Sequence, residues 1–280
     1  MNPDILQPLV KIAALLITGY SVHRSLSPPN PPPAPKTCID KRTLFERAIR
    51  YVTYCSKMMT WIAVVGDALA TASVAFPSPL SRPLGALLLP PALGLPQNFA
   101  SAAANASALP PLLPPSAVLL TPSALLLLGA AATAAGAVLR VACFAALGAL
   151  FTFELTIDPA HRLVTHGPYA WVRHPSYSGV FATLLGASAA MLAPGAWLRE
   201  AWLAPGLAGV LGHGAGAGAG WARPLLAWAF ALFWATKVFY ALKSTARRVT
   251  TEDVELRRVF GAQWEEWAAR VRWRLCPGVY

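Results

Sequence analysis

Long apolar runs constrain this chain more than any other feature. The longest extends from 117 to 153 and carries a single charged residue, Arg140. Further apolar segments lie at about 5–20, 58–76, 177–193 and 224–242. Only 12% of the residues are charged, whereas soluble domains carry about 25%. Because a membrane-spanning helix needs about 20 mainly apolar residues, the sequence predicts an all-α, polytopic helical membrane protein.

The run at 117–153 is too long for one ordinary span. As a single helix it would be about 55 Å long, whereas the hydrocarbon core of a bilayer is about 30 Å thick. We therefore predict two short helices joined by a turn near Gly136 to Arg140. This division favours six spans with both termini in the cytosol, and we adopt it. The basic segment 36–57 favours an odd number of spans instead.

Proline-rich segments divide the chain. "SLSPPNPPPAP" follows the first apolar segment, and residues 77–115 are rich in Pro and Ala. We predict a region of N-terminal membrane helices with Pro-rich linkers at 1–116 and a C-terminal membrane-embedded core at 117–280. Asp67 interrupts the second apolar segment. A carboxylate there either has a functional role or makes a polar contact between helices.

The net charge of +11 does not indicate a nucleic-acid partner. The Lys and Arg residues cluster at the ends of apolar runs, where segments next to a membrane carry them, and no nucleic-acid motif accompanies them. The four Cys residues are scattered without C-x-x-C spacing. The sequence therefore supports neither a metal site nor a disulfide framework.

Two polar islands bracket the last two apolar segments. The first is 161–177, where Gly167-Pro168 and His174-Pro175 interrupt helical structure. The second is 247–253, where Thr250 is predicted to cap a tail helix. If these two apolar segments form a helical hairpin, the chain returns to the side of the membrane that it left, so both islands lie at the same membrane face. Irregular backbone beside a membrane must be buried in protein or line a wet cavity. Each island also has a non-catalytic interpretation. The first could be a belt of aromatic and basic residues at the membrane interface, and the second could be a set of charged membrane anchors.

Both islands resemble one family of enzymes. "LVTHGPYAWVRHPSYSG" resembles the R-H-P-x-Y-x-G region of the isoprenylcysteine carboxyl methyltransferase family. "RRVTTEDVELRRVFGAQWEEWAARVRWRLCPG" resembles that family's closing pattern of R-x-x-x-E-E, L-x-x-x-F-G, spaced aromatics, R-V and P-G. The resemblance covers about 150–280. It implies methylation of the C-terminal carboxylate of prenylated cysteine in CaaX-processed proteins. The methyl donor would be S-adenosylmethionine, and the active site would face the cytosol from the endoplasmic reticulum membrane.

The resemblance also implies roles for individual residues. Arg248 would hold the substrate carboxylate. Glu154 stands where the family has a Gln cofactor contact, so its role stays open, and Asp253 replaces the second Glu of the E-E pair. The remaining cofactor contacts would be His161, Arg162, Leu163, Val164, Tyr169, His174, Pro175, Ser176, Tyr177 and Glu252.

Elementary chemistry agrees with these roles. A C-terminal carboxylate, with a reference pKa of about 3.5, is already ionised at neutral pH and needs no general base. Positioning is then the main task, and the planar fork of an Arg suits a carboxylate. The alternatives are a phospholipid or other small-lipid methyltransferase, a sterol reductase using a nicotinamide cofactor, and a non-enzymatic transporter or structural protein. The preference between farnesyl and geranylgeranyl groups stays open, as does the oligomeric state.

Overall fold

The computed structural model describes residues 3–31, 44–76, 78–89, 115–152, 162–204 and 222–279. Within these ranges the chain forms helices and no strand, which confirms the predicted all-α class. The α-helices of the described ranges are α1 (Pro3–Ser25), α2 (Leu44–Ala75), α3 (Ser81–Leu88), α4 (Pro115–Leu120), α5 (Ala124–Leu147), α6 (Pro175–Leu192), α7 (Ala222–Phe260) and α8 (Ala262–Arg270).

Four segments of the described chain are long and apolar enough to cross a membrane. They are Ile5–Ser25, Ala48–Ala75, Ala117–Leu150 and Pro224–Phe260. The polytopic helical architecture predicted from the apolar runs is therefore confirmed. The predicted segment at 177–193 corresponds to α6, which has 18 residues. The division into 1–116 and 117–280 stays a prediction.

The predicted turn near Gly136 to Arg140 is wrong. Helix α5 continues through both residues, from Ala124 to Leu147. The run at 117–153 is instead shortened at its ends. Pro122 separates α4 from α5, and Gly148, with φ +55°, ends α5 because a left-handed conformation suits Gly. The resulting helix of 24 residues is about 36 Å long and fits one span, so the basis for six spans is removed.

The predicted helix start at Thr250 is also wrong. Helix α7 has 39 residues and continues to Phe260. From Leu225 to Phe260 the sequence contains neither Pro nor Gly, so nothing stops the helix. The Thr250 hydroxyl donates to the Arg247 carbonyl, 2.8 Å away, within the same helix. The break comes at Gly261, with φ +51°, and α8 follows it.

The chain forms two compact units. The first comprises Met1–Thr18, Thr60–Ala130 and Ser188–Leu232. The second comprises Gly19–Met59, Ala131–Ala187 and Phe233–Tyr280. Small and aliphatic residues of α1, α2 and α5 form one buried cluster of the first unit. Trp197 packs in a further buried cluster of the same unit. Both polar islands belong to the second unit, which therefore contains the candidate site.

Asp67, in the first unit, makes polar contacts between helices. Its carboxylate forms an ion pair with Lys11 of α1, 2.6 Å away. It also accepts hydrogen bonds from the Thr71 hydroxyl and from the Trp197 backbone N–H. These contacts therefore support the interpretation of Asp67 as a polar contact between helices rather than as a residue with a functional role.

In the second unit, α5 and α6 approach each other closely. A Cβ on Gly136 would lie 2.7 Å from the Gly179 carbonyl oxygen, so this crossing needs glycine. One turn further along α5, Arg140 is buried and donates to the Ser25 carbonyl and to both the carbonyl and the hydroxyl of Ser176. Gly136 is thus a packing residue rather than a turn residue, and Arg140 links α5 to the starting turn of α6.

Candidate active site

The first polar island is held by the end of the chain. A 3-10 turn forms at Gly167–Ala170. The backbone N–H groups of Arg173 and His174 then donate to the carbonyls of Trp273 and Arg274, at 2.9 and 2.8 Å. Pro175 begins α6, where the missing N–H of proline costs nothing. These backbone hydrogen bonds tie the first island to residues that follow the second island and helix α8 in the sequence.

Asp253 of α7 is the buried acid of the site. One of its oxygens lies 2.9 Å from Nε2 of His174. The other accepts from Nε of Arg274 at 3.1 Å and lies 3.5 Å from the Arg173 guanidinium. Only 7% of the Asp253 side chain is exposed. This carboxylate is surrounded by donors from the protein, so it orients His174 and is not available to a ligand.

Glu252, its neighbour in sequence, is more open. The Tyr177 hydroxyl donates to Oε2 of Glu252 at 2.5 Å. Nδ1 of His174 lies 3.9 Å from the same oxygen. The rings of His174 and Tyr177 are stacked, with centroids 5.7 Å apart. The Glu252 side chain is 27% exposed, so it presents a carboxylate that Tyr177 and His174 hold in place.

A cavity of about 210 Å³ opens beside these groups. Its lining contains two kinds of residue. The polar ones include the charged and hydrogen-bonding side chains Arg140, Arg162, Arg173, His174, Ser176, Tyr177, Arg248, Glu252 and Glu255. The apolar ones include Leu26, Ile49, Val52, Leu147, Leu150, Phe151, Val180, Leu184, Val259 and Phe260. One cavity therefore offers charged groups and a hydrocarbon wall to the same ligand.

Tyr169 lines the cavity and also belongs to a buried hydrophobic cluster beneath the first island. Its ring is buried in a cluster with Cys143, Val164 and Trp267. The Trp267 indole N–H donates to the Tyr169 carbonyl at 3.2 Å. Burial raises the pKa of the Tyr169 hydroxyl far above its ordinary value. This hydroxyl stays protonated at physiological pH and can donate a hydrogen bond.

Most of the residues predicted from the sequence line this one cavity. They are Arg162, Leu163, Val164, Tyr169, His174, Ser176, Tyr177, Arg248 and Glu252. Pro175 does not line the cavity but begins α6 beside it. His161 and Glu154 lie outside the described residues. The roles assigned to all these residues stay predictions.

Sequence reasoning missed several residues of the cavity. Arg140 carried a signal, because a single charge within an apolar run usually serves a purpose. Arg173 stood inside the first island but was given no functional role. Asp253 of the second island was given none either, and it does not line the cavity but contacts His174, which does. The α2 residues Ile49, Val52, Thr53 and Ser56 carried no local signal, because nothing in that segment shows that it packs against the C-terminal part of the chain.

Comparisons with known proteins address the resemblance directly. Residues 127–203 match the model of the isoprenylcysteine carboxyl methyltransferase family. The predicted family resemblance is confirmed. The segment that matches this methyltransferase family includes α6 and the whole of the first polar island. The second island, from Arg247 onward, lies outside it.

A curated relative carries a matching name. The chain is 39% identical over 61 residues to the protein-S-isoprenylcysteine O-methyltransferase of Tribolium castaneum. That match covers 21% of this chain and 22% of the relative, so the aligned part is about a fifth of the relative's length. No solved structure matches the chain significantly.

Proposed function

We propose that this protein methylates the C-terminal carboxylate of prenylated cysteine, using S-adenosylmethionine. One observation carries the proposal. Arg248 and the pair Tyr177–Glu252 line the same cavity as a set of aliphatic and aromatic side chains. A prenylcysteine has the matching combination of an anionic end and a hydrocarbon chain. The name of the Tribolium relative supports the same substrate class.

The charged residues suit the proposed cofactor. S-adenosylmethionine would supply a methyl group on a positively charged sulfur, and it also carries an ammonium group. Glu252 uses Oε2 to accept from Tyr177, which leaves Oε1 for an ammonium donor. Hydrogen bonds between a carboxylate and a cation are about twice as strong as neutral ones. Residues from Arg162 to Val164 and the Tyr169 ring add a mixed polar and apolar surface on which an adenosine can rest.

Arg248 suits the substrate carboxylate. It lies on α7 one turn before Glu252 and lines the cavity. Its guanidinium fork can hold one carboxylate in a fixed plane. The carboxylate is already ionised, so these residues need only to orient it toward the methyl group and exclude water. No residue has to remove a proton.

Partners and location follow from the same proposal. The substrates would be prenylated proteins of the CaaX class, presented from the lipid bilayer in which the helices lie. The membrane would be that of the endoplasmic reticulum, with the cavity open to the cytosol. Accessibility of a cysteine introduced at Arg247, which is exposed, to an impermeant reagent in sealed microsomes tests this orientation.

A methyl-transfer assay tests the activity. Purified protein with tritiated S-adenosylmethionine should label N-acetyl-S-farnesylcysteine as a base-labile methyl ester. Phosphatidylethanolamine, offered in parallel, should stay unlabelled. Labelling of the phospholipid alone would replace our proposal with the lipid methyltransferase alternative. Absence of S-adenosylmethionine binding would exclude both methyltransferases and leave the reductase and the transporter.

A further inference from the structure

Lys237 is a buried cation that the proposed reaction does not use. It lies inside the candidate span Pro224–Phe260, and the residue is 9% exposed. Its ammonium lies 3.8 Å from the centroid of the Trp234 ring. An ionisable residue inside a membrane span is costly and commonly serves a function.

The Lys237 ammonium joins two helices. It donates to the Ser56 hydroxyl of α2 at 2.6 Å, across 181 positions of sequence. The Ser56 hydroxyl in turn donates to the Val52 carbonyl at 2.7 Å. Ser56 is therefore held on both sides. We call this Lys237–Ser56 hydrogen bond the crossbar.

The crossbar lies where the cavity ends on both helices. Along α2 the lining residues begin at Ile49, and Ser56 is the last of them. Along α7 the lining begins at Ala241 and continues to Phe260. Lys237 is one turn before Ala241. The bond therefore crosses from α7 to α2 at the end of the cavity away from Glu252.

The distance along α7 from Arg248 to the crossbar is close to the length of a farnesylcysteine. From Arg248 to Lys237 there are 11 helical positions, or about 16 Å along α7. An extended chain advances about 1.2 Å per bond, so the roughly 15 bonds from the carboxylate carbon to the end of a farnesyl group extend about 18 Å. A geranylgeranyl group adds about four main-chain bonds and about 5 Å. That increment is about one helical turn, which is the turn occupied by Lys237.

We propose that the crossbar is the specificity-determining floor of the prenyl site and favours farnesyl over geranylgeranyl substrates. The inference rests on the proposed function. A hydrocarbon chain that passes Ser56 would have to break the hydrogen bond and bury the ammonium against apolar atoms. Both changes are unfavourable, because a buried charge needs a polar partner.

The test compares two acceptors. The value of kcat/KM is measured for N-acetyl-S-farnesylcysteine and N-acetyl-S-geranylgeranylcysteine with the full-length protein. The parent protein should prefer the farnesyl acceptor. Lys237→Ala, which removes charge and volume, should raise the geranylgeranyl-to-farnesyl ratio about tenfold, the discrimination that a pocket of fixed size provides. Lys237→Met, which removes the charge but keeps the length, should raise it less.

The matched control is Lys243→Ala, which removes an exposed lysine of the same helix that does not line the cavity. Its ratio should equal that of the parent protein. Ser56→Ala breaks the crossbar from the other helix and keeps the test decisive if the Lys237 variants do not fold. The inference would be overturned if the geranylgeranyl-to-farnesyl ratio of kcat/KM were unchanged in Ser56→Ala and in any folded Lys237 variant. A lowered melting temperature in these variants would not rescue it, because stability alone does not report on prenyl length.

Equal kcat/KM for the two acceptors in the parent protein would also overturn the inference, while the proposed function would stand. If the parent protein methylates neither acceptor, the proposed function fails and the inference fails with it. The two failures are therefore distinguishable in one data set.

Discussion

Asp67 and Glu252 are both carboxylates within candidate membrane spans, yet their surroundings differ. Asp67 belongs to the first unit and is 4% exposed. Lys11 lies 2.6 Å from it and also donates to the carbonyls of Leu119 and Gly195. The three N–H groups of this lysine thus have three acceptors, and Asp67 is held by the protein alone.

Glu252 belongs to the second unit and faces a cavity. Tyr177 occupies one of its oxygens, and about a quarter of the side chain is exposed. An acid whose acceptor sites are all occupied by protein donors stabilises the fold. An acid that is held in place but still exposed can bind a ligand. The comparison therefore separates, by partners and exposure, a carboxylate enclosed by protein groups from one that faces a cavity, and we propose a ligand-binding role for the second.

The largest effect on stability should follow Asp67→Ala. The substitution leaves the Lys11 ammonium buried without its counter-charge, and breaking a buried ion pair costs about 3–5 kcal/mol. We expect a large drop in the melting temperature of the purified protein. Lys11→Met combined with Asp67→Leu should recover part of it, because two apolar residues replace both charges. An unchanged melting temperature in Asp67→Ala would show that Asp67 is not the structural acid.

Arg248→Ala should have the largest effect on catalysis. Losing a charged hydrogen-bond partner costs about 1.5–3 kcal/mol, which corresponds to at least about a tenfold loss in kcat/KM. S-adenosylmethionine binding, measured by calorimetry, should change little. Arg248→Lys should recover only part of the activity, because an ammonium lacks the planar fork.

Arg247→Ala is the control for Arg248, since Arg247 is the exposed neighbour on the same helix. Arg247→Ala should lower kcat/KM less than Arg248→Ala does. If Arg247 proves essential and Arg248 dispensable, our assignment is shifted by one residue. If both are dispensable in folded protein, the arginines are membrane anchors.

Glu252→Ala should weaken S-adenosylmethionine binding about tenfold, because it removes the carboxylate assigned to the ammonium group. His174→Ala should act in the same direction, since its ring stacks on Tyr177 and contacts both acids. Calorimetric titration measures both. A variant that binds as tightly as the parent protein would remove that residue from the cofactor site.

The smallest effect should follow Glu265→Ala. Glu265 accepts from Arg257 at 2.7 Å, but both side chains are more than half exposed. Surface ion pairs contribute about 0–1 kcal/mol. We expect less than about 1 kcal/mol in the free energy of unfolding and unchanged cofactor binding. A loss as large as that of Asp67→Ala would show that exposure does not separate these carboxylates.

Local patterns predicted much of the fold. The apolar runs indicated the spans, and Gly-Pro and His-Pro indicated that the first island is not a continuous helix. The two boundary errors have a common cause. Helix α5 was divided by length alone, and α7 was given a start at Thr250 from a capping pattern. Backbone hydrogen bonds continue until a residue prevents them, so Pro122, Gly148 and Gly261 decide where these helices begin and end.

The sequence by itself determined the class of fold, the composition of the two islands and the family resemblance, which was predicted over about 150–280 and is matched by the family model over 127–203. Only the tertiary structure decided which polar groups meet. Asp67 pairs with Lys11, Asp253 contacts His174, and Lys237 donates a hydrogen bond to Ser56. Each pair joins separate parts of the chain, and the free energy of a buried charge depends on partners and exposure that local sequence does not encode. That dependence is why Asp67 is enclosed by protein partners, whereas Glu252 faces a cavity and Lys237 donates to Ser56 at the end of the cavity lining.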